Sequence, residues 1–195
     1  MYAQEANELE RLIVDNSDLE HLEDLIAEFN IFEVLGVQTR ETRHSAFLAW
    51  LLDPSGTHGL GGYFLRRFLW LVTSRARAVG MTTTTAFDVD GWKLTDVVVV
   101  TERHNIDILL TSDLDGFVCA VENKLLSEEH SDQLQRYRET VSKEYPTLTP
   151  IYVLLSVEGE PAVDEEDAAN YVPASYAQIA ELIQKTLESR GSNLG

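Results

Sequence analysis

Between Leu94 and Lys124 the sequence packs three apolar, β-branched runs in succession, LTDVVVVTER, NIDILLTS and FVCAVENK. Runs of this kind read as strands, and the tetrapeptide DLDG between the second and third is a turn signal, so those two form a hairpin. The third run ends awkwardly. Side chains two apart in a strand share a face, so the carboxylate of Glu122 and the ammonium of Lys124 stand together at the rim of whatever sheet buries Phe117 to Val121. If the hairpin turns symmetrically about Asp113 to Gly116, Asp107 lies opposite Glu122, and like charges across a strand pair destabilise a sheet unless something offsets them. A divalent cation does so, because two converging carboxylates plus waters suit Mg²⁺ or Mn²⁺. Protonation of one carboxyl, or a bridge from Lys124 or Arg103, does so as well.

The flanks read as helix. ELERLIVDNSDLEHLEDLIAEF carries apolar residues at helical spacing, enough for one or two amphipathic helices before residue 30. In TRETRHSAFLAWLLDP, Thr39 or Thr42 caps, Pro54 stops, and Phe47, Leu48, Leu51 and Leu52 form the stripe that faces a core. A Gly-rich turn, PSGTHGLGG, leads to a third helix, YFLRRFLWLVTSRARAV, with Tyr63, Phe64 and Phe68 as core. Beyond the strands, SEEHSDQLQRYRETVSKEY reads as helix, IYVLLS as strand, VEGEPAVDEEDAAN as an acidic loop and VPASYAQIAELIQKTLESR as a closing helix. The order is helices, three strands, helix, strand, helix, without internal repeats.

With 195 residues, 44% of them hydrophobic, the chain suffices for one compact domain and is short for two. The expected division is a helical amino-terminal part over about 1–80, a sheet core over about 86–156 and a closing helix over about 174–190. The length also leaves open that the chain is a piece of a longer protein. Cys119 is the lone cysteine and sits inside an apolar run, so it reads as a small buried hydrophobe in a reducing compartment. The start, MYAQEANELE, lacks a basic region followed by an apolar one, and no apolar run approaches the ~18 residues of a membrane span. A soluble, cytoplasmic protein with no membrane partner is expected.

The net charge of −18 opposes phosphate binding, which releases counterions from a basic footprint. Its distribution matters more than its size. Residues 1–36 hold ten acids against Arg11 and residues 156–195 hold eight against Lys185 and Arg190, so the middle keeps fifteen acids and twelve bases and is nearly neutral. The acidic flanks read as solvated helix faces or as a docking surface for a basic partner.

Asp107 followed by Glu122-Asn123-Lys124 resembles the signature of the PD-(D/E)xK nuclease superfamily. The resemblance implies a restriction-endonuclease-like α/β fold, an αβββαβ core whose mixed central sheet is flanked by helices, here with extra amino-terminal helices. ETRHSAFLAWLLDPSGTHGLGGYFL is similar to the amino-terminal signature of one branch, and DQLQRY, shortly after Lys124, is similar to the Gln-x-x-x-Tyr element of exonuclease-like members. Asn105 departs from the pattern, since the branch carries a basic residue two before the strand Asp; this bears on phosphate contact and not on fold or metal binding.

What the resemblance implies is a set of roles. Asp107 and Glu122 are metal ligands, Lys124 positions or activates the attacking water and steadies charge on the phosphoryl group, and Glu41 on the preceding helix completes the metal site. Gln133 and Tyr137 lie four apart on one helical face and so meet the same groove. His44, on the helix face of Glu41, and His58 in the Gly-rich turn belong to the signature as ligands or as hydrogen-bonded structural groups. Glu102 matches the branch, or simply terminates its strand.

The resulting expectation is a metal-dependent nuclease hydrolysing phosphodiester bonds, DNA first, in defence against foreign DNA or in repair. Its cofactor is Mg²⁺ or Mn²⁺ and its partner nucleic acid. The alternative is a nuclease-fold module, weak or inactive in catalysis, that binds a protein partner through acidic flanks. A homo-oligomer, or a basic protein partner carrying part of the nucleic-acid contact, reconciles the two.

Overall fold

The structure is a computed structural model that describes residues 41–82, 84–125 and 132–191, all within one compact unit, Thr39–Gly195. The helices expected before residue 30 and the capping role of Thr39 lie outside the described residues. Numbered from the first described element, α1 is Glu41–Leu52 and α2 is Tyr63–Ala78. Helix α1 ends two residues before Pro54, whose ring does not tolerate a helical predecessor. Its buried stripe is Ser45, Leu48, Ala49, Leu51 and Leu52. Phe47, expected on that stripe, is 37% exposed and lies beside Trp50 at 5.9 Å between ring centroids. The period of 3.6 places residues 47 and 50 together on the flank, three apart, and away from 48 and 52.

Helix α2 buries Phe64, Leu65, Phe68, Leu69 and Val72, while Tyr63 is only partly buried and its hydroxyl donates to Ser189 at 3.1 Å. A short helix follows at Ala86–Gly91, α3, inside the stretch expected to open the sheet. A capping box starts it: Thr85 Oγ1 accepts from the Asp88 N–H at 3.1 Å, and the Asp88 carboxylate accepts from the Thr85 N–H at 2.7 Å. Arg66 closes its other end. Its guanidinium donates to the carbonyls of Val89, Asp90 and Trp92, the acceptors that a helix end leaves without partners. This is a structural clamp that engages the Arg66 guanidinium within the protein.

Five strands then form one sheet in the order β1-β2-β3-β4-β5. They are β1 Val98–Arg103, β2 Ile106–Ser112, β3 Phe117–Lys124, β4 Thr149–Ser156 and β5 Tyr171–Ser175. β1, β2 and β3 pair antiparallel, and β3, β4 and β5 pair parallel, so the sheet is mixed. The β1–β2 turn has His104 and Asn105 both at left-handed φ, 58° and 63°, which is the two-residue geometry that matches strand twist. Helix α4, Gln133–Glu144, makes the crossover from β3 to β4.

Two expectations near the carboxyl end are corrected. The acidic loop contains a short helix, α5, Glu165–Ala168, started by Asp164, whose side chain accepts from the N–H groups of Glu166 and Asp167. The closing helix α6 begins only at Tyr176 and runs to Gly191, because residues 171–175 form β5 instead. Pro173 sits in that strand, opposite Leu154, and β5 is an edge, where a missing N–H is tolerated.

The sheet is covered on both faces. One core gathers Leu52, Phe64, Phe68, Leu69, Ile108, Leu110, Val121 and Val153; the other gathers Leu109, Val118, Ala120, Leu134, Tyr137, Tyr152 and Tyr171. Alternate residues of β3 belong to opposite cores, Val118 and Ala120 to the second, Cys119 and Val121 to the first. That alternation makes FVCAV continuously apolar. Each fully buried Leu or Phe contributes on the order of 1.5–3 kcal/mol, so the two cores hold β3 rigidly and fix the direction in which its last residues point.

Candidate active site

The hairpin register runs from Ser112↔Phe117 to Ile108↔Val121, so one step further Asp107 stands opposite Glu122. Both follow the second core face, the side covered by α4. Asp107 is held there by the backbone N–H of Asn123, which donates to its Oδ2 at 2.7 Å. Glu122 is 2% exposed. Lys124, two residues on, places its ammonium 3.0 Å from Glu122 Oε1 and 3.0 Å from Gln133 Oε1.

Gln133 and Tyr137 meet the site from the first turns of α4. Gln133 Nε2 donates to Glu122 Oε1 at 2.8 Å and to the Tyr137 hydroxyl at 2.6 Å, and that hydroxyl donates to the carbonyl of Asn105. The chain of donors therefore runs in one direction, from Lys124 through Gln133 and Tyr137 to the β1–β2 turn. Tyr137 also packs in the second core, so it serves both packing and the site.

The electrostatics follow from burial. Desolvation pushes the Glu122 carboxyl up to about 8, with the charge of Asp107 adding to it and Lys124 opposing it. Asp107 is pushed up to about 6, chiefly by desolvation, while the Asn123 N–H pulls it down and the charge of Glu102 pushes it further up. At Glu122, burial and repulsion outweigh the ammonium.

Glu41 reaches the carboxyl end of β3, where its Oε1 accepts from the Leu125 N–H at 2.8 Å, and its charge raises both Asp107 and Glu122. Glu102 lies opposite Asp107 in the β1–β2 register, between the pairs Thr101↔Ile108 and Arg103↔Ile106, exposed and at a left-handed φ of 59°. A non-glycine residue there costs about 1–2 kcal/mol, the kind of strain that gathers at functional sites. His44 packs edge-on against the Tyr176 ring, 5.6 Å between centroids. His58 receives the Leu60 N–H on Nδ1 and contacts the Asp53 carbonyl through Nε2, each at 2.9 Å, so it ties down the Gly-rich turn. Arg138 is committed to Glu166 and Asp167 at 3.0 and 2.9 Å.

One residue of the site goes unnoticed in sequence. Asn123 points from the opposite side of β3 and is 1% exposed. Its Nδ2 donates to Ser45 Oγ at 3.0 Å and to the Glu41 carbonyl at 3.3 Å, and its Oδ1 accepts from the Tyr176 hydroxyl at 2.7 Å. Asn123 thus joins α1, β3 and α6 directly behind the acids. The signal was available, since an amide on the face that Cys119 and Val121 bury needs partners from outside its own strand.

The oxygens suit a hard divalent cation. Glu122 Oε2 is buried and has no hydrogen-bond partner among the described residues, a costly state that a cation removes. Asp107 is next to it and the ligand type is carboxylate, which matches Mg²⁺ or Mn²⁺ held by one or two acids with waters completing the shell. Among the described residues no group of three or more such side chains forms a cage by itself. No helix of the described residues is long and apolar enough to cross a membrane.

A mixed five-stranded sheet with flanking helices and this acid pair at the ends of β2 and β3 defines a restriction-endonuclease-like α/β protein. A family profile agrees: residues 29–194 match that of the PD-(D/E)XK nuclease superfamily, and the chain belongs to that superfamily. No curated protein and no solved structure matches the chain significantly.

Proposed function

We propose that the protein is a metal-dependent nuclease that hydrolyses phosphodiester bonds of DNA, with Asp107, Glu122 and Lys124 as its catalytic set. The observation that carries this reading is the buried Oε2 of Glu122 beside Asp107, without a hydrogen-bond partner among the described residues, with the Lys124 ammonium on the same rim. Asp107 and Glu122 would hold Mg²⁺ or Mn²⁺, with Glu41 contributing from α1. When bound, such a cation offers Lewis-acid stabilisation of phosphoryl charge and a water made acidic enough to attack at neutral pH. Lys124 does the rest of the charge work. Held by Glu122 and Gln133, its compact ammonium keeps a further N–H to orient a water and to offset negative charge building on the phosphoryl oxygens. Gln133 and Tyr137 hold Lys124 and the β1–β2 turn in one geometry, so the ammonium does not have to be ordered during reaction.

The charge distribution sets the limits. With Arg66 and Arg138 engaged inside the protein and a net charge of −18, the isolated chain binds nucleic acid weakly, at low salt, and cleaves slowly unless a basic partner or a second copy completes the groove. A role in defence against foreign DNA or in repair fits such an activity.

The test is a plasmid and single-strand nicking assay at low salt with Mg²⁺ or Mn²⁺, wild type against Lys124→Ala. Cleavage by wild type alone supports the proposal. Equal cleavage by both proteins assigns the activity elsewhere, and no cleavage by either, with partners supplied, favours a binding module that docks through the acidic flanks.

A further inference from the structure

Beside the acid pair, between the β1–β2 turn and α4, lies a groove of about 360 Å³ lined by His104, Asn105, Gln133, Arg136, Tyr137 and Thr140. We propose that this groove seats a second, non-scissile phosphate of the nucleic-acid backbone, gripped by Arg136 and His104. The inference rests on the nuclease reading and names where the strand runs as it leaves the acids.

Position comes first. Gln133 and Tyr137 belong to both places: they line the groove, and they carry the hydrogen bonds that end on Glu122 and on the Asn105 carbonyl. A strand whose scissile phosphate sits at Glu122 therefore meets this groove as its continuation. The α4 wall is a single helical stripe, since residues 133, 136, 137 and 140 are spaced by three and four. The other wall is the turn, whose two left-handed residues bring the side chains of His104 and Asn105 to the groove.

Chemistry agrees with position. The chain has 33 acids against 15 Lys and Arg, yet among the described residues none that lines the groove is an acid and each has a polar group. Arg136 is exposed, and its Nε donates to the Asp132 carbonyl at 3.0 Å, which orders the guanidinium; among the described residues its terminal nitrogens and the His104 ring have no hydrogen-bond partner. Its positive charge is felt at the Tyr137 hydroxyl, inside the groove. A planar guanidinium with unused N–H groups, the Asn105 amide and the His104 imidazole form a donor set for a phosphate diester. The fit to a single phosphate, and not to a longer basic track, follows from the one arginine among the described lining residues.

The experiment uses the full chain and a fluorescein-labelled oligonucleotide, read by anisotropy at low salt in EDTA and by steady-state cleavage with Mn²⁺. Arg136→Gln should raise Kd about tenfold and lower the salt slope by about 0.7–0.9, the loss of one phosphate contact. In cleavage it should raise KM and leave kcat unchanged. Arg77→Gln on α2, which changes the net charge equally but lies with the other face of the sheet, is the control for bulk charge. An oligonucleotide with one neutral methylphosphonate linkage, scanned along the strand, should weaken binding at one position for wild type and at none for Arg136→Gln. If Arg136→Gln shifts Kd, KM and salt slope no more than Arg77→Gln does, the subsite is overturned while wild-type cleavage leaves the nuclease reading standing. A wild type that neither binds nor cleaves overturns both.

Discussion

The carboxylate of Asp107 is bonded to the backbone N–H of Asn123 on the neighbouring strand, 2.7 Å away. One main-chain donor thereby ties the β2 acid to the residue that follows Glu122. The two carboxyls cannot separate to relieve their repulsion, and that repulsion adds to burial in raising the affinity of Glu122 for a proton.

The first prediction is a pH-dependent stability that metal removes. Asp107 titrates at about 6 and Glu122 at about 8 in the folded protein, both above their unfolded values near 4. The folded state then binds more protons than the unfolded one, so this contribution is present below about pH 4 and is lost as pH rises through 6 and 8. Without metal, Tm should fall from pH 5 to pH 9 more steeply in wild type than in Asp107→Asn. Mg²⁺ or Mn²⁺ at 100 times its Kd should restore about 2.7 kcal/mol, roughly 5–10 °C in Tm, with the largest gain near pH 8. Differential scanning fluorimetry across this range decides it, and a Tm indifferent to metal at pH 8 removes the shared site.

Glu41→Gln should separate charge from structure. The amide oxygen still accepts from the Leu125 N–H, so Tm without metal should change by less than about 2 °C, within the ±0.5 kcal/mol of a mild substitution. Losing a negative charge that both acids feel should weaken Mn²⁺ binding about tenfold, as for partners that tune a metal site. Isothermal titration calorimetry reads this directly; an unchanged Mn²⁺ affinity would take Glu41 off the ligand list.

Asn123→Ala tests the polar node behind the acids. The substitution leaves the Tyr176 hydroxyl without its acceptor and takes the amide donor from Ser45 Oγ and the Glu41 carbonyl, which keep their own bond at 2.9 Å, at about 2–4 kcal/mol in all. Thermal denaturation followed by circular dichroism should show Tm lower by roughly 4–16 °C. A change under 2 °C would mean that water replaces the amide at little cost.

Cys119 should be silent until the protein opens. It is fully buried and desolvation pushes its thiol up to about 12, so almost no thiolate forms at neutral pH. A thiol-reactive disulfide reagent should label it at the rate of unfolding, faster in Asn123→Ala than in wild type. Rapid labelling of the native protein would contradict the burial.

The sequence by itself determined the strand trio and the pairing of Asp107 with Glu122. Each depends on neighbours along the chain: β-branched runs, a turn at Asp113–Gly116 with Gly116 at φ 70°, and the two-residue period that puts Glu122 and Lys124 on one face. Gln133 and Tyr137 were legible as one helical face for the same reason. Tertiary structure decided the rest. Tyr171–Ser175 is a strand because β4 lends it partners, and its Pro173 is tolerated because β5 lies at the edge of the sheet. Arg66 and Arg138 are tied to carbonyls and carboxylates far along the chain, partners that only the fold brings to them. Asn123 became a linchpin only when α1 and α6 arrived behind β3. The pKa values of the acids depend on burial beneath α4 and on approach between strands, and those are properties of packing in three dimensions, not of order along the chain.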